Sequence, residues 1–281
     1  MPCVGDVISK GSVRMEAPPL PSFDAPPVVE TVLGVQFDPI PRLTNAHLGA
    51  FWKSLGPDWS EVKDVPPLPQ ESETFGDQPR WPGVLFHLTQ DTSTRLQVRN
   101  QTRDRMIQIQ NGRFHLNWLG LEGGEYPRYG KTRPEFDSLF GKLTGFLAEE
   151  QLKPVRLNQW EITYVNHIKK GSQWGQPSDW INIFRDYPVS ILHQEGMNFE
   201  SHTGCWHYEI FPKKGRLHVE LLHGRSKQDE ILILKLTARG PIEAGDDSGL
   251  AKGLDLGHES IVRGFEKITS AEAHKLWRKK Q

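Results

Sequence analysis

From Arg156 to Lys169 polar and apolar side chains alternate: Gln159, Glu161, Thr163 and His167 fall on one parity, Trp160, Ile162, Tyr164 and Ile168 on the other. A period of two over that length belongs to a β-strand with one face in a core. Strand order restarts here after a helical pattern and Pro154, so the stretch reads as the first strand of a second half. That half repeats the first in element order, though not in residue identity.

The first half begins with Val28–Phe37, a β-branched run closed by Asp38-Pro39. Leu48, Phe51, Trp52 and Leu55 then mark a short helix capped by Thr44 or Asn45. Residues 57–83 are rich in proline and read as a long loop, with an edge strand at Glu71–Phe75. A meander follows over Val84–Thr89, Arg95–Gln101, Met106–Gln110 and Arg113–Leu119. Asn111-Gly112 supplies the φ > 0 pair of a two-residue hairpin turn. Pro134 suits a first helical position, and Phe136, Leu139, Phe140, Leu143, Phe146 and Leu147 share one face of a helix running to Glu150.

After the seam strand, the second half reads as a helix at Ser178–Asp186, strands at Phe199–Phe211, Arg216–His223 and Ile231–Arg239, and a helix carrying Leu254, His258, Ile261, Val262 and Phe265. Thr269 and Glu272 form a capping box for a last helix. The fold class is α+β: two similar strand-helix-strands-helix halves, 26–153 and 154–281, sharing a curved, mainly antiparallel sheet with helices on one side. Residues 1–27 hold six prolines and no apolar period, so residues 1–25 read as a disordered tail, with Met15 an alternative start to Met1. Hydrophobic residues make up only 36%, but nine Trp and thirteen Phe concentrate enough apolar area for a core.

A net charge of −1 excludes a globally basic nucleic-acid binder, leaving only a local patch. Cys3 and Cys205 alone make no disulfide framework, so a reducing cytoplasm is expected. No apolar run has the length of a membrane span. No Gly-x-Gly-x-x-Gly, Cys-x-x-Cys or His-Glu-x-x-His is present, so neither cofactor nor metal is expected. His202, Cys205, His207 and His218 lie near one another but read as ordinary strand residues rather than a zinc set.

Sorting the strands by parity leaves a second, polar sheet face. In half one it gathers Gln36, Arg95, Gln97, Arg99, Gln108, Gln110, His115 and Asn117; in half two Gln159, Glu161, Thr163, His167, His218, Glu220, Lys235, Thr237 and Arg239. The segment Arg95–Arg133 has eight cations against three anions, a surplus of five. Arg95, Arg99 and Arg128 could therefore contact a nucleic acid or protein partner, with Gln108, Asn117, Tyr126, Tyr129, Asn158, Tyr164 and Asn166. The alternative is a solvated face built for solubility. A competing reading is a hydrolase or nuclease using Glu161, His167, His218 and Glu220 as general acids or bases. It requires Glu161 and Glu220 on one face. His258, on an apolar helix face, is expected to be a hydrogen-bonded core histidine.

Four stretches together carry a resemblance: Pro-Pro-Val-Val-Glu-Thr-Val-Leu-Gly-Val-Gln-Phe from Pro26, Asn117-Trp118 with Glu-Tyr-Pro-Arg-Tyr from Glu125, Asn-Gln-Trp-Glu-Ile-Thr-Tyr-Val-Asn-His-Ile from Asn158, and Leu-Gly-His-Glu-Ser-Ile-Val-Arg-Gly-Phe from Leu256, ahead of His274-Lys275-Leu276-Trp277. From Pro26 onward the chain resembles a sporadically distributed family of uncharacterised bacterial proteins. The resemblance implies no activity and no catalytic residues. It adds weight to Tyr126, Arg128, Tyr129, Asn158, Glu161, Tyr164, Asn166 and His167, and the patchy distribution associates such genes with mobile toxin–antitoxin or phage-defence systems. The element order is also similar to the saddle of TATA-binding-protein-like folds, which present a sheet face to a ligand.

Overall fold

The computed structural model describes residues 18–76, 94–121, 124–186, 196, 198–226, 229–243 and 247–280. The strand expected at Val84–Thr89 and residues 1–17 of the expected tail lie outside them. Nine strands form one open antiparallel sheet: β1 (Val28–Phe37), β2 (Glu61–Val65), β3 (Arg95–Arg99), β4 (Arg105–Gln110), β5 (Arg113–Leu119), β6 (Leu157–Lys169), β7 (Gly204–Ile210), β8 (Gly215–Ser226) and β9 (Asp229–Pro241). Their order is β2-β3-β4-β5-β1-β6-β9-β8-β7, which places β1 and β6 side by side at the centre. The hairpin turn falls at Asn111-Gly112, with Gln110 opposite Arg113, but only Gly112 takes a positive φ, at 102°, so the expected pair of positive φ values is not formed.

The long helices α2 (Tyr129–Glu149) and α4 (Asp247–Ile268) cover the apolar face, with α1 (Asn45–Ser54) beside α2, the one-turn α3 (Phe211–Lys214) between β7 and β8, and α5 (Ala271–Leu276) following α4. Phe114 of β5 packs on Phe136 and Phe140, and Phe51 of α1 on Phe146. Trp160 of β6 lies flat against α4 because Gly253 and Gly257 have no Cβ there; one on Gly253 would come within 2.1 Å of the indole. No helix among the described residues is long and apolar enough to cross a membrane.

Several local expectations need correction. Residues 18–25, read as tail, are built into the core: Phe23 is buried edge-on to Phe265, and Asp24 and Ala25 donate backbone N–H groups to Arg278 and Trp277. One aromatic among prolines has no period to betray it. Helix α2 starts five residues before Pro134, its first turn held by Tyr129 and Arg133, both bonded to Asp255 of α4. Long-range contacts there outweigh the backbone hydrogen bond that proline forfeits. Glu61–Val65, read as loop, is the edge strand β2, whose exposed Glu61, Lys63 and Asp64 carry no alternation. Glu71–Phe75 is no strand at all, as its place on the sheet explains below. In addition, the helix expected at 178–186 is a 3-10 turn at Pro177–Asn182, and β7 begins at Gly204 rather than Phe199.

Candidate functional site

On the polar face, residues 68–75 run as a strap across six strands. Successive strands each raise a side chain to it. Gln110 of β4 exchanges two hydrogen bonds of 2.8 Å with the backbone of Leu68, and Arg113 of β5 donates to the Pro69 carbonyl at 3.0 Å. Gln36 of β1 donates to the Glu71 carbonyl and accepts from its N–H. Gln159 of β6 donates to the same carbonyl at 2.6 Å and accepts from the N–H of Glu73. Arg239 of β9 pairs with Glu71, while Arg216 of β8 pairs with Glu73, donates to the Thr74 carbonyl and lies under the Phe75 ring. The glutamines act as surrogate backbone, satisfying a segment that Pro69, with Pro66 and Pro67 just before it, keeps from pairing as a strand.

Between strap and sheet lies a cavity of about 540 Å³. Its floor is a row set by strand register: His115 of β5 faces Gly34 of β1, which faces Glu161 of β6, which faces Arg239 of β9. Gly34 makes the row work. A Cβ there would fall 2.5 Å from His115 Cδ2, so only glycine lets the imidazole lie across β1 towards Glu161. His115 Nε2 stands 3.6 Å from Glu161 Oε1, and Arg239 Nη1 stands 3.6 Å from Oε2. Burial, with Arg113 and Arg95 nearby, pushes the His115 pKa down to about 3, so the ring is neutral at ordinary pH. Burial also raises the Glu161 carboxyl, against the pull of Arg113, Lys235 and His218. His115 Nε2 is buried without a hydrogen-bond partner. Asn117 donates to Glu30 at 2.5 Å, Gln108 accepts from Arg95 and donates to Asn117, and Thr163 meets Thr237 at 2.9 Å.

The sequence-derived candidates divide between two faces. Glu161, Glu220, Gln108 and Asn117 wall this cavity, so the condition that both carboxylates share a face is met. His218 points to the same face, where Glu73 binds its Nε2 at 2.6 Å; His167 lies outside the cavity, against a separate cleft. Tyr126, Arg128, Tyr129, Tyr164 and Asn166 line a different cavity on the helix-bearing side. Arg128 is therefore not on the face that carries Arg95 and Arg99, which corrects the single surface expected for the three. Asn158 is at neither site, bonded to exposed Asp38. Of the other cations in the +5 segment, Arg103 pairs with Glu61, Arg105 with Asp104 and Glu135, and Arg133 with Asp137 and Asp255. Buried Arg113 binds Gln36 and the strap.

The histidines near Cys205 divide between the two faces. His207 Nδ1 meets His218 Nδ1 at 2.8 Å, while His202 stacks on Trp206, which faces the helix side. Among the described residues no three His, Cys, Asp or Glu converge as metal ligands. His258 is hydrogen-bonded as expected, through Nδ1 to the Tyr164 hydroxyl at 3.0 Å.

Sequence reading passed over Gly34, Arg113 and Glu73 as site residues. The usable signal was Gly34: a glycine inside a β-branched strand marks a close approach. No protein-family model matches the chain, and no curated protein matches it significantly.

Proposed function

We propose that the protein binds a small polar molecule with an anionic group, held between strap and sheet. The observation that carries the reading is His115 Nε2, buried without a partner beside Glu161 and flanked by Arg113 and Arg239. Leaving such an atom unpaired costs about 1–3 kcal/mol, which a ligand supplying the partner recovers. Arg113 lines the cavity with no carboxylate in an ion pair with it among the described residues and offers positive charge to the anion, Lys235 and Arg239 being paired with Glu220 and Glu71, and Glu161 offers a proton or an acceptor to the rest. The strap supports a small ligand over a polymer, because it covers a face that a saddle would leave open. A reading with a nucleic-acid or protein partner has the weaker support, since Arg95 and Arg99 lie on the opposite face from Arg128. The two-halves reading belongs to the same proposal, supported by central β1 and β6 and by outward orders β5-β4-β3-β2 and β9-β8-β7.

Thermal shift against nucleoside monophosphates, amino acids and sugar phosphates tests the proposal. A member of the panel should raise the melting temperature of the wild type and fail to do so for Lys235→Met and Glu161→Gln. Stabilisation by an oligonucleotide alone, abolished by salt, would instead support the polymer reading.

One observation favours a second reading, the hydrolase. Glu161 holds its proton more tightly than a free carboxyl and shares a cavity wall with Glu220, the arrangement of a general acid with a companion carboxylate. Turnover of a phosphoester or glycoside panel, lost in Glu161→Gln and kept in His167→Ala, is its expected signature.

A further inference from the structure

On the opposite side of the sheet, polar residues enter the helix-facing parity of β6. Trp160, Ile162 and Ile168 keep the apolar rule, but Tyr164 and Asn166 break it. The break coincides with a cavity of about 280 Å³ enclosed by β6, α4, the start of α2 and residues 20–26. Phe23, Leu236, Ile261 and Phe265 make its apolar wall. Tyr164 and His258 share a hydrogen bond at its polar end, and Tyr129 stacks on the His258 ring at 4.1 Å and 7°. Burial raises the tyrosine hydroxyls of Tyr126 and Tyr164 and lowers His258 to about 4, so these groups are neutral donors and acceptors at ordinary pH.

Among the described residues the one cation lining this cavity is Arg128, exposed at its mouth. Its guanidinium lies over the Tyr126 ring at 5.1 Å and donates Nη2 to the Phe23 carbonyl at 2.5 Å. Among the described residues no carboxylate pairs with it, and that single hydrogen bond uses one of the five N–H donors a guanidinium carries. An apolar chamber with neutral hydroxyls inside and an unmatched cation at its entrance selects for one kind of ligand. We infer that this cavity binds a small aromatic carboxylate, its ring among Phe23, Leu236 and Ile261 and its carboxylate at Arg128. The volume sits just below the range of ordinary ligand pockets, which fits a single ring with a short chain. The inference is independent of the cavity under the strap.

The test uses the full chain with benzoate, phenylacetate and 3-phenylpropionate, each beside its uncharged amide, by saturation-transfer NMR and calorimetry. At least one acid should bind, with its amide about tenfold weaker. Arg128→Gly suits the backbone, because residue 128 sits at φ 64°. It should weaken the acid to the level of the amide while leaving the amide unchanged. Leu20→Trp, which fills the mouth from a surface segment, should abolish both. Equal binding of acid and amide, acid binding indifferent to both substitutions, or no binding by any of the three acids overturns the inference.

Discussion

His115 should make the protein acid-sensitive in a way a single substitution can remove. Free histidine titrates near 6.5, and burial in the fold lowers this one to about 3. Because the folded value is depressed, the unfolded chain takes up more protons between pH 6.5 and 3, and stability falls as pH drops through that window. Working the two proton-binding curves from pH 7 to pH 5 gives a loss of about 2 kcal/mol from this residue alone. Glu161 acts with the opposite sign, since its raised folded pKa favours the folded state at low pH and loses that advantage as pH rises. The comparison must therefore be between proteins that share Glu161. Urea unfolding of the wild type and His115→Gln at pH 7 and pH 5 provides it, read as midpoint and slope. The wild type should lose about 2 kcal/mol more than the variant across the two pH values. Equal losses would refute a neutral imidazole buried against Glu161.

Gly34→Ala should cost about 1–3 kcal/mol by forcing Cβ into the His115 ring, and the cost should shrink when His115→Ala is combined with it in the same urea assay. Gly253→Ala should be at least as damaging, about 1–3 kcal/mol, because the new methyl meets the Trp160 indole in the closed core, and tryptophan fluorescence will follow it. Glu73→Ala strands buried Arg216 and should cost about 3–5 kcal/mol. Its sharper signature is early proteolytic cleavage within 66–76 while the sheet stays resistant. Phe23→Ala should remove about 3–5 kcal/mol, shown by calorimetric melting, where a solvated tail would remove none.

The local architecture was legible where the physics is local. Alternation placed β4, β5 and β6, a β-branched run placed β1, the Asn111-Gly112 turn fixed one register outright, and the 3.6-residue period exposed the faces of α2 and α4. The same alternation assigned Glu161, Glu220, Gln108 and Asn117 to one polar face. It could not say which of them meet, because that depends on β1 lying between β5 and β6, a pairing across more than 120 residues. The strap was hidden for a related reason. Its own residues carry no period, and what orders it comes from Gln36, Gln110, Arg113, Gln159, Arg216, His218 and Arg239 on other segments. Tyr126, Arg128 and Tyr164 drew notice as residue types, but only Tyr164, of opposite parity to Glu161 on β6, carried a clue that it serves the other side.

Strand β6 is a party wall. Glu161, Thr163 and Val165 furnish the chamber under the strap, while Tyr164 and Asn166, their immediate chain neighbours, furnish the one under α4. Shifting any one of these peptides by a fraction of an ångström reshapes both rooms at once, since neighbouring side chains hang from the same backbone. Mutational histories of the two chambers are therefore tied together: a change at Thr163 alters the terms on which a change at Tyr164 is tolerated, and their effects will not add.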